Sequence, residues 1–217
     1  MAIQWTEENA SQETLNASIH GIAFLLTLPG GILLIYLTSQ FRPELLTACA
    51  VYGFSLGALY LGSTLSHAVR TPALRHRFRT WDQGLIYVLI AGTFTPLACG
   101  FMDSWGRFGV MLLVWLAAAA GFYSKVFGTH RINNMTTVSY VLLGWIPSMI
   151  LFAYVPTGCF VMMAIAGVLY TAGTLFLQND HRHWSFHAIW HSMVVVASLF
   201  LFAAVVMYPV LRLDGMR

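Results

Sequence analysis

Seven apolar stretches, each near twenty residues and separated by short polar breakers, constrain this chain more than any other feature. A hydrocarbon core of ~30 Å is crossed by about 20 mostly apolar residues in a helix. The stretches run at roughly 17–39, 45–67, 82–101, 106–125, 136–154, 158–178 and 185–209. The breakers are "QFRPE" near 42, "RTPALRHRFRT" at 70–80, "MDSWGR" at 102–107, "GTHRINN" at 128–134, "VPTG" at 155–158 and "NDHRHW" at 179–184. Connections this short make successive helices antiparallel neighbours and leave no room for a soluble domain. The expectation is an all-α membrane protein: one seven-transmembrane-helix bundle, a single domain over 1–217, of which 1–16 is a short N-terminal cytoplasmic segment. Only 9% of the residues are charged and 58% are hydrophobic, against about 25% charged in a soluble domain. Most of the surface is therefore expected to face membrane lipids.

Seven spans put the termini on opposite sides. Arg70, Arg75, Arg77, Arg79, Lys125, Arg131 and Arg182 gather on the side of the N-terminus, and Arg42, Arg107, Arg212 and Arg217 on the other. The positive-inside rule then places the N-terminus in the cytoplasm and the C-terminus outside. This predicts a multi-pass protein of the cell (plasma or inner) membrane. The first sixteen residues hold three acids and no Lys or Arg, the opposite of a secretory n-region. A formal charge of +3 is too modest to argue for nucleic acid. Cys49, Cys99 and Cys159 are odd in number and scattered in apolar runs, so they read as free thiols rather than a disulfide framework. The basic run at 70–80 is expected to contact anionic headgroups.

The polar residues converge at one level. His67 closes the second stretch, Asp82 opens the third, and His187 and His191 open the seventh. Glu13 and Asn16 precede the first stretch on the same side. His187 and His191 are one helical turn apart, so both imidazoles share a face. That is how a helix offers two nitrogens to one metal ion. His67 can supply a third. Three histidines leave a fourth tetrahedral position for water, which suits catalytic zinc, although imidazole also suits iron, copper and nickel. Asp82 can hold or deprotonate that water. Ser63, one turn before His67, can hydrogen-bond the water or polarise a substrate carbonyl.

Each residue also has a plainer reading. His67 can be a snorkelling interfacial side chain, Asp82 the N-cap of the third helix, and Ser63 a packing residue. His183 and His187 are also four apart, but His191 lies inside the apolar run, where an unpaired imidazole is costly. His20 reads as a helix–helix hydrogen bond, and His76, His130, His181 and His183 as surface groups. Residues 5–22 either form a short interfacial helix, with Glu13 and Asn16 on one face near the site, or simply cap the first span.

Glu13-xx-Asn16, Ser63-xxx-His67 with Asp82 downstream, and His187-xxx-His191, in this order, resemble the hemolysin III branch of the progestin and adipoQ receptor family over nearly the whole chain. The resemblance implies seven helices, a cytoplasmic N-terminus and an intramembrane zinc ion near the cytoplasmic side. Its ligands would be His67, His187 and His191. Asp82 would reach the metal through a water, and Ser63 would line the site. The family is similar to alkaline ceramidases, which implies hydrolysis of lipid amides, and its bacterial members are associated with membrane-lipid homeostasis. The chain lacks the long N-terminal domain of the eukaryotic receptors, which argues against extracellular hormone sensing.

Several functions fit this frame. A zinc-dependent hydrolase of lipid amides or esters would use Asp82 as general base. A non-enzymatic receptor or lipid sensor would use zinc to brace three helices. A pore-forming cytolysin fits less well, because so few interior charges outline no aqueous pathway. A b-type cytochrome would want a second histidine set at another level. A retinal protein would want a lysine in the seventh span, and Lys125 is the only lysine.

Overall fold

The computed structural model describes residues 7–128 and 134–213, so His130, Arg131 and Arg217 lie outside the described residues. Within them the chain is helical: α1 (Glu7–Phe41), α2 (Leu46–Ala68), α3 (Pro72–Phe101), α4 (Ser104–Val126), α5 (Asn134–Leu151), α6 (Thr157–Gln178) and α7 (Phe186–Val205). Short 3₁₀ turns at Pro43–Leu45 and Asp180–Arg182 and a π turn at Val206–Val210 complete it. No strand occurs among the described residues. Six segments are long and apolar enough to cross a bilayer. The described apolar part of α5, Thr137–Leu151, is shorter.

Two expected boundaries move, both toward longer helices. The chain from Glu7 through Phe41 is one helix, so Glu13 and Asn16 are not caps and do not belong to a separate interfacial helix. Nothing between them breaks the backbone hydrogen bonding. From Pro72 onward the basic run 70–80 is likewise helix rather than loop. Pro72 stands at the first helical positions, after extended Thr71, where its missing N–H costs nothing and its fixed φ suits the helix. Asp82 therefore lies three turns inside α3 and cannot be its N-cap. Elsewhere the punctuation is as the sequence expects: the Asp103 carboxylate accepts the Gly106 N–H at 2.8 Å and caps α4, and Pro156 stands before α6.

The exterior is apolar. Phe54 is 75% exposed, Ile32 73% and Trp105 88%, a coat that lipid rather than water would cover. Inside, α2 packs between α1 and α3. The α2–α3 contact is set by a small residue, as is common where membrane helices approach closely. A methyl group added at Gly92 would fall 2.4 Å from Ser55 Oγ. This close crossing brings the end of α2, with Ser63, Ser66 and His67, against Asp82 of α3.

A candidate metal centre at one end of the bundle

His67 is the last residue but one of α2, and His187 the second residue of α7. His191 follows one turn further along. Their ligand nitrogens all lie within 4.8 Å of one another. His67 and His191 are buried, at 6% and 2% exposure, and His187 is half-buried.

Each ring has a partner on its Nδ1. His67 Nδ1 lies 2.6 Å from Glu13 Oε2, His187 Nδ1 3.1 Å from Asp180 Oδ2, and His191 Nδ1 3.1 Å from His20 Nε2. An ionised carboxylate only accepts, so His67 and His187 carry their protons on Nδ1. In the neutral ring that leaves Nε2 as a bare lone pair. The Nε2 atoms of His67 and His191 are 3.1 Å apart. Two imidazole nitrogens bound tetrahedrally at ~2.0–2.1 Å would sit about 3.3 Å apart. The donor set and its spacing fit a metal ion, and the carboxylate partners of His67 and His187 are those that ligating histidines ordinarily have.

Asp82 is half-buried beside this cluster, within electrostatic reach of His67 and His187. Ser66 Oγ donates to Asp82 Oδ2 at 3.2 Å. Ser63 is fully buried and faces the same carboxylate, but its hydroxyl closes no hydrogen bond of ordinary geometry. Glu13 is held from its far side by Arg75 and by Arg79, the latter at 3.0 Å. A cleft of about 300 Å³ between α1 and the end of α2 reaches Glu13 and His67, with Arg70 in its wall.

Over residues 8–202 the chain matches the family described as "Haemolysin-III related". The chain belongs to the haemolysin-III family. The "Hemolysin-3 homolog" of Bacillus subtilis (strain 168) is 32% identical over 203 residues, which cover 92% of this chain and 95% of that protein. "Hemolysin-3" of Bacillus cereus is 33% identical over 204 residues, 91% of each. This haemolysin-III protein is thus a multi-pass membrane protein built as a helical bundle, with a three-histidine cluster that can hold a metal ion.

The haemolysin-III fold brings His67, His187 and His191 together and sets Asp82, Ser63 and Glu13 around them. Asn16 is buried at 6% exposure, on the face of α1 between Glu13 and His20. His181, His183 and His76 are exposed. The sequence reading of His20 as a helix–helix hydrogen bond holds but left its partner open, and four further contacts, those of Arg75, Arg79, Ser66 and Asp180, were overlooked. His20 meets the cluster, and a signal existed: positions 13, 16 and 20 share a helix face. Arg75 and Arg79, expected at lipid headgroups, turn inward to Glu13. Once 70–80 is helical, residues four apart point the same way. Ser66 as a support for Asp82 follows from the α2–α3 crossing. Asp180 reaches His187 across a turn, where no periodicity marks it.

Proposed function

We propose that this haemolysin-III protein is a zinc-dependent hydrolase of lipid amides or esters, acting near the cytoplasmic face of the cell membrane and contributing to membrane-lipid homeostasis. The proposal includes seven spans, with α5 as the fifth, and a cytoplasmic N-terminus. The observation that carries it is the set of three histidines with every Nδ1 engaged, beside an acid that is not part of the set. An acid outside the ligand set, with a buried serine facing it, is what a hydrolytic site would add to a structural one.

A second feature supports a lipid substrate. An apolar crevice of about 100 Å³ runs among α3, α5, α6 and α7, walled by Leu89, Ile90, Trp145, Met163 and Trp190. Tyr140 at its edge donates its O–H to the carbonyl of Gln83 at 2.9 Å, the residue after Asp82. An acyl tail lying there would keep its head close to the acid. When bound, the zinc ion would lower the pKa of a water to about 7 and polarise the scissile carbonyl. Asp82 would take the proton of the attacking water and pass it to the leaving amine or alkoxide. Ser66 would hold the Asp82 carboxylate in place. The Ser63 hydroxyl would donate to the substrate carbonyl oxygen. Glu13 and Asp180 would keep the His67 and His187 rings in the ligating tautomer.

The test is incubation of zinc-loaded protein in lipid nanodiscs with ceramides, acylated amines and ester lipids, followed by mass spectrometry. Release of fatty acid that is lost in Asp82→Asn supports the reading. No product from protein that retains its metal overturns hydrolysis. It would favour a sensor, for which there is one specific observation: the histidine cluster ties α1, α2 and α7 together. Dye release from liposomes by the purified protein would instead favour the lytic activity that the Bacillus cereus relative's name denotes.

A further inference from the structure

His20 has one contact that general packing does not explain. Its ring is 2% exposed in α1 and stacks edge-on against Tyr60 and His191, with centroids 5.1 and 4.0 Å away. Its Nε2 lies 3.1 Å from His191 Nδ1; the His191 carbonyl oxygen, 3.4 Å away, stands beyond the ordinary N–H···O length of about 2.7–3.2 Å. Its Nδ1 is buried with no hydrogen-bond partner. An unsatisfied buried nitrogen is costly, and a phenyl ring would fill the same space without that cost. What an imidazole adds is the nitrogen that faces His191.

His191 differs from the other two histidines in its outer partner. His67 and His187 have carboxylates, which can only accept, and their tautomers follow. His191 Nδ1 faces another imidazole. Were His20 to donate there, the His191 proton would move to Nε2 and block the nitrogen that faces His67 at 3.1 Å. Were His20 to accept there, Nε2 would stay bare.

We propose that His20 is a positioning residue for the metal centre: its Nε2 accepts the His191 Nδ1–H, which turns the His191 Nε2 lone pair toward His67 and His187. It is not itself a ligand, since the nitrogen it offers is spent on His191. The inference rests on the metal reading above. It goes beyond it by assigning the tautomer of the third ligand to a residue on a different helix.

The experiment measures metal affinity by chelator competition on full-length detergent-solubilised protein, with Co²⁺ absorption as a second readout. It compares wild type, His20→Phe, His20→Gln, and His191→Ala as the ligand-loss reference. The phenyl ring keeps the packing on Tyr60, whereas the glutamine amide oxygen keeps an acceptor near the position of Nε2. His20→Phe is expected to bind 10–100-fold more weakly and to shift the Co²⁺ bands, with folding preserved by thermal melt. His20→Gln is expected to recover most of the affinity. If His20→Phe binds as tightly as wild type, the positioning role is wrong while the metal centre stands. If both His20 variants fall to the level of His191→Ala, His20 is a ligand and the assignment is overturned. If wild type itself binds no metal, the centre and this inference fall together.

Discussion

Glu13 of α1 and His67 of α2 meet at 2.6 Å, carboxylate oxygen to ring Nδ1, while Arg75 and Arg79 of α3 grip the same carboxylate from behind. One acid therefore joins three helices and fixes the tautomer of a candidate ligand. Removing it leaves His67 free to turn and two guanidinium groups facing a void. Glu13→Ala should weaken metal binding about 10–100-fold, and Glu13→Gln, which keeps an acceptor but not the charge, should fall in between. Chelator competition reads both. Affinities equal to wild type would show that Glu13 serves only the surface of the bundle.

Asp82 stands beside the histidines without belonging to their set, so its removal should separate binding from chemistry. Asp82→Asn should keep the metal and lose fatty-acid release by about 10²–10⁴-fold. Metal analysis and product quantification on one preparation make the distinction. Loss of metal along with activity would make Asp82 a ligand rather than a base.

The apolar crevice predicts a change confined to the substrate. Leu89 and Met163 both line it, and Met163→Trp would fill much of its volume. Turnover of long-chain substrates should drop by about tenfold or more, since the tail then lacks the surface that orients the reacting head. Metal content should be unchanged. An unaffected rate would place the substrate elsewhere.

The α2–α3 crossing depends on Gly92 lying against Ser55. Gly92→Leu should cost about 1–3 kcal/mol by overpacking and lower the thermal midpoint by several degrees. It should also weaken metal binding, because the same crossing sets Ser66 against Asp82. A variant as stable as wild type would mean that the two helices part easily.

Much of this arrangement was legible in the sequence. Apolar runs at membrane length announced the helices, and His187 and His191 at a spacing of four announced a shared face. That His67 and Asp82 closed or opened neighbouring runs at the same end was enough to gather them. What could not be read is what depends on a helix continuing past its apolar part. The run 70–80 is too basic to read as span, so its helical register, and with it the inward turn of Arg75 and Arg79, stayed hidden. His20 carried a periodic signal with Glu13 and Asn16, but periodicity gives a face and not a partner. Asp180 lies on a 3₁₀ turn and its approach to His187 depends on turn geometry that composition does not encode.

The central claim is that His67, His187 and His191 hold one ion between them, and elemental analysis of the purified protein tests it most directly. Wild type should carry about one metal ion per chain, expected to be zinc, while His67→Ala and His191→Ala, purified alongside and still folded, should carry almost none. Wild type free of metal after loading, or variants that keep it in full, would contradict the account.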